Sequence, residues 1–265
     1  MTTSLRLNKS ASRAVQLLEF LSGCEKAPTQ QEISEYLHLP KSSTYELVYT
    51  LMATGVVEYD NEDLKTFRLG IKVFEIGMSV LQRSGFHQIA RPLLEKLSSE
   101  TNEVVFLAIE NDGEVVYLDR VEKERNLARF ANTVGSRGPM YCTGLGKALL
   151  ATYPTDKVSD IWQKYQSQHQ PFTETTHTSL PSLQNDLQQI RLRGYAIDNA
   201  ERATITYCVA APVYDYSGQA VCAISISCML PAMKAGDSER YGNSINATAL
   251  EISRQLGFRG KTLYP

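Results

Sequence analysis

Two groups of residues in this 265-residue chain have types and spacings that could do chemistry. The first opens a helical stretch: Lys41, Ser42, Ser43, Tyr45, Glu46 and Tyr49 fall mostly on one side, while Leu47, Val48, Leu51 and Met52 point inward. A cation, two hydroxyls and an aromatic near a helix N-terminus suit a nucleic-acid duplex. Lys41 would meet a phosphate, Ser42 and Ser43 a phosphate or base, and Tyr45 a sugar or a thymine methyl. Thr44 in the same turn and Arg13 in an acid-free upstream segment complete the candidate DNA-contact set. The second group is spread over four segments. TGLGKALLA puts Gly144 and Gly146 where a helix begins, and backbone N–H groups at such a point attract carboxylates. Asp198 stands in a turn-like DNAE segment, Cys208 at a strand start, and Ser225 and Ser227 on one face of a strand, because side chains alternate. Hydroxyls on one face can bind the oxygens of a ligand; read as packing alone, Cys208 is a small buried apolar group and the serines satisfy the backbone.

Other chemistries fit poorly. The five cysteines, Cys24, Cys142, Cys208, Cys222 and Cys228, are scattered and show neither CxxC nor a Cys/His pattern at metal spacing, so no metal or cofactor is expected. His38, His87, His169 and His177 sit in segments that suggest no shared site with Cys208 or Cys142, which argues against a thiol-dependent enzyme. Lys147 follows GLG, but the phosphate loop G-x-x-x-x-G-K-[ST] is not completed. A cysteine-based redox sensor built on Cys208, Cys222 or Cys228 stands as the alternative, although nothing signals a lowered thiol pKa.

The elements that must position these groups follow from periodicity and punctuation. Ala14, Leu17, Leu18 and Leu21 form a helical stripe that ends at Gly23. Thr29-x-x-Glu32 has capping-box spacing, Ile33 and Leu37 give the next helix its buried side, and His38-Leu39-Pro40 is the turn into a helix from Lys41 to about Thr54, with Pro40 suited to its first position. After Gly55, Val56 to Tyr59, the polar turn NEDLK and Thr66 to Leu69 read as a hairpin, the wing of a winged helix. Ile71, Phe74, Met78 and Leu81 then form a seam for packing on another helix. A second domain begins near Gly85, with a helix around Ile89 to Leu97 and a hairpin turning at Asn111-Asp112-Gly113. Further strands are expected near Ala128 to Asn132, Thr204 to Tyr214 and Ala220 to Ser227. Helices are expected near Gly144 to Thr152, Ser182 to Arg193 and Tyr241 to Leu256. The architecture is α+β, with helices over a largely antiparallel sheet.

Composition sets the bounds. At 43% hydrophobic residues the chain can fill a sizeable core, and a net charge of −2 does not by itself announce a nucleic-acid partner. Residues 1 to 84 carry nine Lys/Arg against ten Asp/Glu, so attraction to DNA must come from local placement, as at Lys41. No run approaches the roughly 20 apolar residues of a membrane span, and Met1 to Lys9 lacks the apolar core of a signal peptide. A cytoplasmic protein without membrane contact is expected.

The strings LPKSSTYELVYTLMATGVV and FRLGIKVFEIG, then GPMYCTGLGKALLA, RGYAIDNAE, YCVAAPVYDYSG and AISIS, resemble the IclR family of bacterial transcriptional regulators over nearly the whole chain. The resemblance implies a winged helix-turn-helix at residues 9–69 after a flexible tail at 1–8, a linker helix at 70–84, and a GAF-like effector-binding domain with an antiparallel sheet at 85–265. It further implies double-stranded operator DNA as partner, a homodimer or a homotetramer built as a dimer of dimers, and a repressor controlled by a small organic acid. By resemblance, effector contacts fall on Gly144, Leu145, Asp198, Cys208, Ser225 and Ser227, with Leu127, Phe130 and Met140 as apolar walls. YCVAAPVYDYSG and GYAIDNAE look most like the sugar-acid-sensing, keto-deoxy-gluconate-regulator-like branch; short keto acids and aromatic acids are the further options. One position departs from the family pattern: Glu46 stands where an Arg usually follows the aromatic residue of the recognition helix. A carboxylate there repels phosphate; it either accepts from a cytosine amino group or stands as a solvated helix charge.

Overall fold

A computed structural model of the chain describes residues 8–83, 85–122 and 132–264. The chain divides into two compact units, Met1–Ser84 and Gly85–Pro265. In the first, α1 (Lys9–Gly23), α2 (Gln30–Tyr36) and α3 (Lys41–Ala53) precede a two-stranded hairpin, β1 (Val57–Asn61) and β2 (Thr66–Leu69), and α4 (Ile71–Arg83). The capping box forms in full: Thr29 Oγ1 accepts from the Glu32 N–H, and the Glu32 carboxylate takes the Thr29 N–H at 2.7 Å. Ser34 Oγ donates to the Leu39 carbonyl at 2.7 Å and His38 adopts a left-handed φ of 51°, which together close the turn before α3. Pro40 is the N-cap of α3, one position before the first helical residue. Leu17, Leu21, Ile33, Val48, Val57 and Phe67 form the small core of this unit. The Phe67 N–H bonds the Pro28 carbonyl at 2.9 Å, fastening the hairpin to the start of α2. On α4, Ile71 and Phe74 are 68% and 63% exposed, so the first half of the predicted seam is uncovered in a single chain, and the Leu81 side chain lies outside the described residues.

The second unit is built on a six-stranded antiparallel sheet of order β5-β4-β3-β8-β7-β6. Its strands are β3 (Val104–Asn111), β4 (Glu114–Val121), β5 (Arg137–Pro139), β6 (Ala196–Asn199), β7 (Thr206–Tyr214) and β8 (Ala220–Met229). Helices α5 (Gly85–Thr101), α6 (Gly144–Leu150), α7 (Thr155–Tyr165), α8 (Leu180–Arg193) and α9 (Asp237–Gln255) complete it. Strand alternation sorts the two faces. Tyr207 bonds Ser238 of α9 at 2.7 Å, whereas a Cβ on Gly144 of α6 would touch the Cβ atoms of Cys208 and Ala210, so even-numbered residues of β7 meet α6 and odd-numbered ones meet α9. Helix α5 packs on α9.

One expectation changes here. Residues 196–199 are a strand, so Asp198 sits in the sheet opposite Cys208 and not in a turn; its alternation with Ala196 was masked by the short DNAE run. The strand expected at 128–132 falls largely outside the described residues, as do the N-terminal seven, and Asn132 is in no regular element. Helix α7 and strand β5 had no periodic signal long enough to announce them. Gly146 is required by close approach, since a Cβ there would collide with the Met140 backbone. Gly146→Ala should therefore lower stability by about 1–3 kcal/mol through forced repacking, read as a reduced midpoint in thermal and urea unfolding; an unchanged midpoint would show that the α6 entry has slack.

Candidate functional site

On the first unit, α3 starts without a side-chain cap, so the amides of its first turn, at Lys41, Ser42 and Ser43, have no helical or side-chain acceptor. With the positive end of the helix dipole they make a place for a phosphate. Lys41, Ser42, Tyr45 and Glu46 are exposed and Ser43 is half-buried. The Tyr45 ring lies tilted against Tyr49 with centroids 4.1 Å apart, and the Tyr49 hydroxyl shares a 2.7 Å hydrogen bond with Tyr59 of β1. Tyr49 thus ties the helix to the hairpin. Thr44 does not belong to the exposed set: it is fully buried, on the same stripe as Val48, and its Oγ1 donates to the Pro40 carbonyl at 3.1 Å. Arg13 is half-buried on α1, and Glu46 has no ion-pair partner among the described residues.

On the second unit, the register of three strands brings Asp198, Cys208 and Ser227 into one row, with Ser225 beside it opposite Ala210. These four and the first residues of α6, Gly144 and Leu145, line a single cavity of about 280 Å³. Thr143 caps α6 through a 3.2 Å bond from the Gly146 N–H, which leaves the Gly144 and Leu145 N–H groups without an acceptor in the helix. Sequence reasoning missed Tyr117, Asn132, Thr143 and Arg202, which also line the cavity. Asn132 donates to the Tyr117 hydroxyl at 3.0 Å, and Arg202 stands exposed at the mouth with no carboxylate partner among the described residues. The signal for Arg202 was its place directly after DNAE. Met140 is not a wall of this cavity: its backbone lies under Gly146 and it faces a neighbouring one. Leu127 and Phe130 lie outside the described residues.

Buried charges hold the cavity's entrance. Lys147 of α6, 1% exposed, donates to Asp186 of α8 at 2.6 Å and to Glu201 in the loop after β6. Burial pulls the ammonium pKa down, but Glu201 and Asp186 outweigh it and keep it raised. Burial raises the Asp186 carboxyl as well; hydrogen bonds from His177 and Lys147 overcome this and bring it to about 2. His177, Asp186 and Glu201 offer ligand atoms within 4.8 Å of one another, a grouping that suits a cation, and Lys147 supplies that charge. Asp198 Oδ1 in turn accepts from the Glu201 N–H at 2.8 Å, so the sheet grips the loop that presents Arg202.

Cysteine chemistry finds no support in this geometry. Burial, then the Asp198 charge, push the Cys208 thiol well up, and Ser227 Oγ donates to its sulfur at 3.2 Å. Cys228, paired with Tyr207, and Cys222, paired with Val213, face the opposite side of the sheet. A raised thiol is a poor nucleophile.

Burial, then the Glu201 charge, raise the Asp198 carboxyl to about 7. The unfolded value is about 3.9, so this group takes up a proton on folding. Its favourable contribution is complete below about pH 4 and is lost toward about pH 7, by up to about 1.4 kcal/mol per pH unit. Asp198→Asn keeps an oxygen for the loop amides and removes that loss. Urea unfolding between pH 4 and 8 should show the variant gaining on wild type up to about pH 7, with a constant offset above. Parallel profiles would mean that Asp198 is ionised in the fold.

Comparisons with known proteins agree on both units. The family model described as the bacterial transcriptional regulator IclR C-terminal matches residues 78–254, and that of the IclR helix-turn-helix domain matches residues 10–61. The HTH-type transcriptional regulator BhcR of Paracoccus denitrificans is 32% identical over 94% of this chain and 86% of its own length. The HTH-type transcriptional repressor AllR of Klebsiella pneumoniae is 32% identical over 95% of this chain and 91% of its own. The crystal structure of the Thermotoga maritima IclR superposes with a TM-score of 0.78 at 30% identity, covering 94% of this chain and 99% of that one. A helix-turn-helix with an uncapped reading helix, joined in one chain to an antiparallel α+β unit with a polar cavity, thus belongs to the IclR family of DNA-binding bacterial transcriptional regulators.

Proposed function

We propose that this regulator is a cytoplasmic repressor whose grip on its operator is controlled by a small organic acid, a sugar acid or a short keto acid, bound in the 280 Å³ cavity. The observation that carries the reading is a guanidinium without a carboxylate partner among the described residues, Arg202, at the mouth of a cavity that also offers two helix-start amides and the hydroxyls of Thr143, Ser225 and Ser227. An arginine fork and free amides suit a carboxylate, and several hydroxyls on the sheet suit further oxygens on a short carbon skeleton. Asp198 acts mainly by holding the Arg202 loop. AllR, a relative at 32% identity, is named a repressor, which supports that sign of action.

Operator contact rests on Lys41, Ser42, Ser43, Tyr45 and Glu46, with Arg13 and Tyr49 behind them. Glu46 takes a cytosine amino group and so shifts the preferred sequence. A second copy of the chain covers Ile71 and Phe74, giving a homodimer or a dimer of dimers. The acid binds one quaternary arrangement more tightly than another, and operator affinity follows that equilibrium. Anisotropy titrations with duplexes from the protein's own gene neighbourhood should show low-salt binding that Lys41→Ala weakens across sequences, lowering the salt slope by about one. A sugar or keto acid should release the duplex from wild type, with at least about tenfold less potency on Arg202→Ala, in line with loss of a charge-assisted hydrogen bond of about 1.5–3 kcal/mol. No bound fragment, or equal potency on the variant, would contradict the reading.

A further inference from the structure

A second cavity, of about 210 Å³, lies beside the first, and among the described residues Arg202 alone lines both. Its lining combines aromatic rings with aliphatic side chains and the Arg137–Glu114 ion pair. Tyr141 and Trp162 meet edge to face at 5.8 Å, His169 lies 4.4 Å from the Tyr141 ring and 4.1 Å from Trp162, and the Arg202 guanidinium rests 3.7 Å over Phe172. These walls are preformed. The Tyr141 hydroxyl donates to the Gln170 carbonyl at 3.0 Å and accepts from the Gln170 N–H at 2.8 Å, which fixes the segment carrying His169 and Phe172. His169 Nδ1 is buried and has no hydrogen-bond partner among the described residues.

We infer that this cavity is a second small-molecule site, for a single-ring aromatic carboxylate. A cavity of about 150 Å³ accepts benzene, so this one has room for a ring and a polar substituent. The ring packs edge and face against Tyr141 and Trp162, with the His169 ring as a further wall, and the carboxylate takes the guanidinium of Arg202. Because Arg202 also stands at the mouth of the first cavity, an anion in either site draws on the same cation, and the two sites are coupled through it.

Trp162 is the single tryptophan of the chain, so its fluorescence reports on this cavity directly. Sodium benzoate is titrated into the full chain with excitation at the red edge of the indole band. The expected result is a saturable change with one benzoate per chain, a midpoint raised about tenfold or more, or about 1.4 kcal/mol, in Phe172→Leu and His169→Ala, and intermolecular NOEs from benzoate ring protons to the Trp162 indole. No saturable change, or a midpoint that moves with Ser227→Val and not with the two aromatic-cavity variants, overturns the inference. If those variants do not fold by circular dichroism, the NOEs in wild type decide: their presence supports the site and their absence in a saturated sample overturns it.

Discussion

The Lys147 ion cluster is the interaction on which the second unit's site depends. An ammonium buried to 1% exposure is tolerable only if it is paired, and its partners come from two other parts of the chain: Asp186 on α8 and Glu201 after β6. Satisfying one charge therefore fixes three segments at once. The start of α6, with its free Gly144 and Leu145 amides, is held against the loop that carries Arg202, while Asp198 grips the same loop from the sheet through the Glu201 N–H. Replacing such a cluster by apolar side chains could keep the fold but would remove the ionic link that ties α6 and α8 to the loop carrying Arg202. Positioning is the physical reason to keep costly charges there.

Much of the first unit was legible in the sequence because its signals are local. The Thr29–Glu32 box, the stripe of Leu17 and Leu21 and the polar turn between β1 and β2 each span a few residues, and each forms as read. Thr44 was misplaced because helical spacing alone does not say how wide a buried stripe is; packing under the Pro40 carbonyl decides that. In the second unit, alternation correctly put Ser225 and Ser227 on one face, yet only the strand register shows Asp198 and Cys208 in the same row. Lys147, noted as a failed phosphate loop, carries a structural charge whose partners lie 39 and 54 residues away, a separation that no local pattern reveals. Met140 was assigned to the wrong cavity for a related reason. Its neighbour Gly146 lacks a side chain so that the two backbones can touch, and Met140 lines the neighbouring cavity together with Trp162.

The helix-turn-helix unit and the cavity-bearing unit are built by different physics. The proposed reading surface is a helix end whose amides are left uncapped, beside a helix whose end is fully capped; the proposed effector cavity is a sheet face whose polar row is closed by a capped, glycine-rich helix. A regulator needs both sites to be unsatisfied in the free chain, each with donors waiting for oxygens that a duplex or an acid supplies. In the proposed switch their connection is thermodynamic, so whatever factor the acid takes from operator affinity, the operator must take from acid affinity.

That reciprocity is the most direct measurement. Isothermal titration of the effective acid into free protein and into protein saturated with operator duplex should give dissociation constants whose ratio equals the ratio of operator affinities measured without and with saturating acid. Equal acid affinity in the two states, with the cavity occupied in both, would show that the cavity does not control DNA binding.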